Sequence, residues 1–302
     1  MNASFVIVNY NRKEELLITI QKTKDLISKY KGTYEIVIVD NGSTDGSAEA
    51  VSTVYPDVNL IAQKINTGAP AWNAGFAAAK GDYFIILDDD SHIESGLEEA
   101  LEYMEARPQI GVLALNVLTG PYTSKDWNMQ EDRNIVGFIG CGAILRRETY
   151  NKIGGYPDWI FLYVNEWDVG MRCLAAGYTV QYFDNCKVIH RTSTLHRTNK
   201  RLTTLVNKHG MGIIYKYFSQ KKSKYLLRHA LNSLKNALNQ FKFKEAWYVI
   251  LGVREFLKFR KNIPLAPVSA DVQRQFIREF HPVKESPFEF IRKRVYKDKD
   301  RL

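Results

Sequence analysis

Three consecutive carboxylates, Asp88, Asp89 and Asp90, follow directly on the apolar run Tyr83–Leu87. Like charges at this spacing repel one another and gain nothing by packing, so they call for a divalent cation or for hydroxyl groups from which to accept. Mn²⁺ and Mg²⁺ are hard cations suited to carboxylate oxygen. The bland alternative is a solvated acidic turn that caps the next helix. Two further polar stretches also follow apolar runs. Asn9-Tyr10-Asn11-Arg12 closes SFVIVN, and the turn-rich Asp40-Asn41-Gly42-Ser43-Thr44-Asp45-Gly46-Ser47 closes Glu35–Val39.

The elements that must position these residues are legible in outline. Ser4–Asn9, Glu35–Val39, Val58–Ala62 and Tyr83–Leu87 read as strands. Glu14–Tyr30 is amphipathic, with Leu16, Leu17, Ile20, Leu26 and Ile27 on its apolar side; further helices are expected from Ala48 and over Ala71–Lys80. Strands that alternate with helices predict a doubly wound α/β unit with a parallel sheet. In such sheets the ligand crevice lies beyond the carboxyl ends of the strands, where all three polar stretches fall. The first loop has no glycine and the chain has no G-x-x-x-x-G-K-[ST] run, which excludes both usual phosphate cradles. A metal on the aspartates is the simplest substitute.

FVIVNYNR, EIVIVDNGSTDGS, NTGAPAWNAGFAAAKGDYFIILDDDSHI and NEWDVGMR, in that order, resemble the family 2 glycosyltransferases of GT-A fold over roughly Ser4–Arg191. The resemblance implies a Rossmann-like mixed sheet with a catalytic unit over 1–198, and 199–302 as a basic, mainly helical extension. It implies an inverting transfer from a nucleoside-diphosphate sugar to a glycan or lipid-linked acceptor hydroxyl. Carried over, Tyr10 stacks on the base with Asn9 and Asn11 beside it, and Asp40 accepts from a pyrimidine N3–H. Asn73 lies near the nucleotide, Asp88 at the ribose, Asp90 on Mn²⁺ or Mg²⁺, and Asp89 near both. His190, at the end of a strand over Lys187–His190, is the implied third ligand. The family's Glu-Asp-x-Asp pattern is altered, with Asn165 and Glu166 in place of its first two members. Glu166 is then the general base, acting with a longer side chain. Asp168, four residues before Arg172, pairs with it along a helix.

Leu97–Ala106 reads as a helix, Ile110–Leu115 as a strand, and Gly120–Asn134 as a loop carrying Tyr122 and Trp127. In the family the segment Gly137–Arg146 borders sugar and acceptor. Gly140 and Gly142 would let backbone approach a ligand, and Cys141 reads as a small buried residue rather than a nucleophile. Trp159, Tyr163 and Trp167 either stack on an acceptor sugar or belong to the core. Arg191, His196 and Arg197 either face the diphosphate or form a basic loop.

The 302 residues carry a net charge of +9, with Lys and Arg crowded after residue 187. Leu202–Phe259 predicts two or three helices in which basic residues interleave with Tyr, Phe, Leu and Trp, followed by a short helix and a tail. These helices either meet an anionic lipid surface or pack on the catalytic unit with a solvated basic face. The start MNASFVIVNYN lacks the pattern of a signal peptide, and the three cysteines form no CxxC, so a cytoplasmic protein, in peripheral contact with the inner face of the cell membrane or free of it, is expected. A nucleotidyltransferase would need a phosphate-cradling loop near the N-terminus. A nucleic-acid binder would have to bring phosphates toward the acidic cluster.

Overall fold

The computed structural model describes residues 2–120, 134–191 and 198–281. Tyr122, Trp127, His196, Arg197 and the tail from 282 onward lie outside the described residues. β1 (Asn2–Asn9), β2 (Thr33–Asp40), β3 (Asn59–Ala62) and β4 (Tyr83–Asp88) are parallel, in the spatial order β3-β2-β1-β4. Between them run α1 (Lys13–Ile27), α2 (Ser47–Val54) and α3 (Ala71–Ala78). Phe5–Val8 of β1 is an unbroken apolar run because both of its faces are covered. Phe5 and Ile7 pack with Leu16 and Ile20 of α1 on one side, and Val6 packs with Phe76 of α3 on the other. Gly75 lets α3 lie close to the sheet, since a β-carbon there would run into Val6. The register sets Asn9 opposite Asp40 and Val8 opposite Asp88. The three polar stretches therefore leave the sheet at one edge.

The second half adds β5 (Ser91–Ser95), α4 (Leu97–Glu105), β6 (Ile110–Leu118), β7 (Ala143–Arg146), α5 (Arg147–Ile153), α6 (Asn165–Ala175) and β8 (Thr179–His190). The whole sheet runs β3-β2-β1-β4-β7-β6-β8-β5, with β7 antiparallel to both β4 and β6. The sheet is thus mixed, as the family resemblance implies, while β1–β4 keep the parallel arrangement that the strand–helix alternation predicts. β5 carries no apolar run, yet Ser91, His92 and Ile93 are buried and pair antiparallel with β8, setting Ser91 opposite His190. This pairing turns the chain that leaves the aspartates back beside His190.

α7 (Asn199–Tyr217), α8 (Lys222–Asn239) and α9 (Phe243–Phe259) pack on one another, and α10 (Ala270–Phe280) follows. They are tied to the sheet unit by a buried polar network. Asp168 of α6 accepts from Lys216 Nζ at 2.9 Å, Tyr217 Oη at 2.7 Å and Arg172 Nε at 2.7 Å. The i,i+4 pair expected of Asp168 and Arg172 is present, and two residues of α7 complete it. Among the described residues no helix is long and apolar enough to cross a membrane.

Candidate active site

The sheet edge opens into a cavity of about 770 Å³, of the size that holds a small ligand. Tyr10, Arg12, Asn41, Asp88 and Asp89 line it together with Gly140, Cys141, Tyr156, Glu166, Trp167 and His190, and Arg201 and Leu202 of α7 contribute to its wall.

The loops after β1 and β2 are locked together below Tyr10. Asn9 Nδ2 donates to Asp40 Oδ1 at 2.8 Å and to Ser43 Oγ at 3.1 Å. Asn11, in the left-handed region at φ 54°, accepts from Thr44 N at 2.7 Å and donates its own N–H to Ser43 Oγ at 2.9 Å. The second oxygen of Asp40 accepts from Ser43 N at 3.1 Å. Asn9, Asn11 and Asp40 are therefore tied up in holding the two loops together, and of the four residues only Tyr10 lines the cavity.

The aspartates are divided by their partners. Arg12 Nη1 donates to Asp89 Oδ1 at 2.9 Å and to Asp90 Oδ2 at 3.0 Å. Thr19 Oγ1 holds the backbone carbonyl of Asp89 at 2.6 Å. Burial pushes the Asp89 carboxyl up to about 7; the Arg12 charge pulls it down, and the charges of Asp90 and Asp88 push it further up. Asp90 is fully buried, with His190 Nε2 3.1 Å from its Oδ1. Ligand atoms of Asp88, Cys141 and His190 lie within 4.8 Å of one another. Carboxylate oxygen and imidazole nitrogen from the ends of β4 and β8 thus converge with the thiol of the turn before β7; the carboxylate suits Mn²⁺ or Mg²⁺ and the thiol is the poorer match. Asp90, expected on the metal, is outside this cluster, its buried carboxylate being held by Arg12 and His190. Cys141 joins Asp88 and His190 there, a placement its small apolar character did not suggest.

Glu166 stands in the first turn of α6, where a carboxylate meets the positive end of the helix. Tyr163 and Val164, just before it, have φ of 64° and 57°. A β-branched residue in the left-handed region is costly, and such conformations gather at functional sites. A β-carbon on Gly140 would overlap Glu166 Oε1. Burial is the main cause that raises the Glu166 carboxyl to about 7, and the charge of Asp88 adds to it.

Several residues occupy places that the sequence did not indicate. Asn73 does not line the cavity: its Nδ2 donates to Tyr156 O and its Oδ1 accepts from Tyr156 N, both at 2.7 Å. This clamp spends its amide on holding cavity-lining Tyr156. Gly142 faces inward, where a β-carbon would meet Val117 and Val188, so its smallness serves sheet packing rather than ligand approach. Trp167 lines the cavity and also packs as the core reading expected, its ring centroid 4.1 Å from that of Phe280 and 5.6 Å from that of Phe276. Trp159 packs edge-on against His209. Arg191 is held on α1 by Glu15 Oε2 at 2.6 Å and Thr19 Oγ1 at 2.6 Å.

Sequence reasoning missed the roles of Arg12, Tyr156 and Glu279. Arg12 follows the first strand within a polar loop, a signal that could have paired it with the aspartates. Glu279 of α10 accepts from the N–H groups of Val136 at 2.7 Å and Gly137 at 2.9 Å, bracing the segment that leads to Gly140. Its separation of more than 140 residues from those amides left no local signal.

Residues 4–170 match the sequence profile of Glycosyl transferase family 2. An N-acetylglucosaminyl-diphospho-decaprenol L-rhamnosyltransferase of Mycobacterium tuberculosis is 24% identical over 211 residues, covering 55% of this chain and 68% of that protein. An undecaprenyl-phosphate 4-deoxy-4-formamido-L-arabinose transferase of Yersinia enterocolitica is 38% identical over 92 residues, 29% of this chain and 28% of that protein. Among solved structures, the mannosyltransferase PcManGT of Pyrobaculum calidifontis, in complex with GDP-Man and Mn²⁺, superimposes with a TM-score of 0.60 at 17% identity, covering 93% of this chain and 81% of that one. S. aureus TarS 1-349 in complex with UDP-GlcNAc gives 0.57 at 15% identity, covering 91% and 84%. The fold is that of the GT-A transferases, and with over half of its length matched by the profile, the chain belongs to glycosyltransferase family 2.

Proposed function

We propose that this family 2 glycosyltransferase is inverting and metal-dependent, and that it moves a hexosyl or deoxyhexosyl group from a UDP- or dTDP-sugar to a hydroxyl of a glycan or lipid-linked acceptor. The observation that carries the reading is Glu166, a carboxylate with its pKa raised to about 7 in the same cavity as Asp88, Asp89 and His190. A general base works best with its pKa near the operating pH. Glu166 takes the proton of the acceptor hydroxyl as that oxygen bonds to the anomeric carbon. The bond from that carbon to the diphosphate oxygen breaks on the opposite face, and the nucleoside diphosphate leaves with the bonding pair.

Tyr10 stacks on the base, above the corner built by Asn9, Asn11 and Asp40, and Asp88 and Asp89 meet the ribose side of the donor. Asp90 and His190 would hold the cation; ligand atoms of Asp88 and Cys141 lie within 4.8 Å of one from His190. A bound Mn²⁺ or Mg²⁺ supplies Lewis-acid stabilisation of the departing diphosphate. Gly140, Cys141 and Trp167 border the sugar and the acceptor. The polyprenyl-linked substrates in the names of two relatives support a lipid-linked acceptor, met by a peripheral enzyme at the cytoplasmic face of the membrane.

The test incubates the purified chain and Mn²⁺ with UDP-, dTDP- and GDP-sugars and a polyprenyl-diphosphate-linked sugar acceptor. It follows nucleoside diphosphate release and the anomeric configuration of the product by NMR. Transfer with inversion that falls by about 10²–10⁴-fold in Glu166→Gln is expected for loss of a general base. Retention of configuration, or wild-type transfer by Glu166→Gln, would overturn the assignment.

A further inference from the structure

The helical hairpin α8–α9 buries one side of each helix and leaves another side apolar and exposed. α9 packs inward through Ala246, Val249, Gly252 and Phe256, with Gly252 against the backbone of α7. Phe243, Trp247, Ile250 and Leu257, at i, i+4, i+7 and i+14, stand in solvent instead. Arg254 fills the missing step of that stripe. On α8, Leu227, Leu231 and Leu238 repeat the pattern at i, i+4 and i+11. Single exposed apolar residues are ordinary, but two helical stripes on one hairpin are not.

The turn between the helices is the most telling part. Phe241 N donates to Leu238 O and Lys242 N to Ala237 O, both at 2.9 Å. This is the paired hydrogen bonding that ends a helix on a left-handed residue, and the position is ordinarily glycine. Here it is Phe241, at φ 55° and 81% exposed. The chain accepts an unfavourable backbone conformation in a large aromatic residue that packs against little of the protein.

The charge around these stripes selects what covers them. From Lys222 to Lys261 there are ten Lys and Arg against two Glu, 10 − 2 = +8. A second copy of this hairpin would bring like charge against like charge. An anionic lipid surface matches both features, because lysines meet headgroups while Phe, Trp and Leu enter the boundary with the acyl chains. We propose that the α8–α9 hairpin, led by Phe241, Phe243 and Trp247, docks this protein on an anionic bilayer. α7, against which α9 packs, carries the cavity-lining Arg201 and Leu202, so the docked face and the cavity share one helix. The proposal stands on the hairpin and its charge and does not depend on the reaction assigned above.

The test sediments the full chain with vesicles of phosphatidylcholine alone and of phosphatidylcholine with roughly a third phosphatidylglycerol, in low salt and in about 0.5 M salt. Wild-type protein is expected to partition at least about tenfold better onto the anionic vesicles, with most of that preference lost in high salt. Phe241→Gly removes the aromatic and relieves the turn, so it should raise Tm while weakening vesicle binding, a combination that misfolding cannot produce. The triple variant Phe241→Ser, Phe243→Ser, Trp247→Ser should lower binding by about tenfold or more while its melting stays cooperative. Equal binding to both vesicle types, no binding to either, or wild-type binding by the triple variant would overturn the proposal. So would a wild-type dimer that the triple variant dissociates and that leaves vesicles unbound.

Discussion

Gly140 faces Glu166 so closely that a β-carbon at 140 would overlap the carboxylate oxygen Oε1. The atom that would be met is the end of a flexible side chain, so Gly140→Ala is expected to fold and to turn Glu166 aside rather than distort the sheet. Displacing a catalytic group by about 1 Å costs on the order of 10²-fold in rate. Turnover should fall by about that much while nucleotide affinity, measured by titration calorimetry, stays within about twofold of wild type. Unchanged turnover would remove Glu166 from the reaction.

The raised pKa of Glu166 has two consequences of known sign. A base must be ionised to work, so kcat/KM should rise with pH and level off above about 7. Asp88 contributes to the rise, so Asp88→Asn should shift that acid limb downward wherever residual activity can be followed. For stability, the folded carboxyl keeps its proton to a higher pH than the unfolded one. Its favourable term is fully present below pH 4.5, declines as pH rises, and is gone above about 7. Glu166→Gln escapes this loss, and its Tm relative to wild type should therefore increase between pH 5 and pH 8.

Asp168 is structural. Its buried carboxylate is shared by Lys216, Tyr217 and Arg172, and Lys216 is itself almost wholly buried. Asp168→Ala leaves a buried ammonium without its counter-charge, a loss of about 3–5 kcal/mol. Denaturant unfolding should show a lower midpoint of that order. Nucleotide binding below the transition should be close to wild type, because Asp168 is not among the cavity-lining residues.

Much of the first half was legible from sequence because β1, β4 and the end of β2 are buried on both faces and therefore read as apolar runs, whereas the weaker β3 is only partly buried. The polar stretches after β1, β2 and β4 could be assigned to one sheet edge for the same reason. β5 escaped because SHIES gains burial from the pairing of Ser91 with His190 and from no pattern of its own. Asn73 and Gly142 carried family-like spacing, but their surroundings turn one toward the Tyr156 backbone and the other toward Val117. Asp168 was readable as a pair with Arg172, whereas Lys216 and Tyr217 arrive from a distant helix. Glu279 was invisible because its partners are backbone amides, which leave no trace in residue type.

Glu279 provides a further check. Its carboxylate is held by two backbone N–H groups, and burial raises its pKa. Glu279→Ala strands those amides, at about 1–3 kcal/mol for the unsatisfied groups. Hydrogen exchange should show the 135–140 segment opening more readily, and the KM for the acceptor should rise more than that for the donor. Equal protection in variant and wild type would mean that α10 does not brace this segment.

The most direct measurement is isothermal titration of the purified chain with UDP, dTDP and GDP, each with and without Mn²⁺, repeated on Asp90→Ala after circular dichroism has shown that variant to be folded. The expected result is Mn²⁺-dependent binding of UDP or dTDP that Asp90→Ala abolishes. A folded wild-type protein that binds none of the three, or that binds them equally without Mn²⁺ and in Asp90→Ala, would contradict a metal-dependent donor site at this sheet edge.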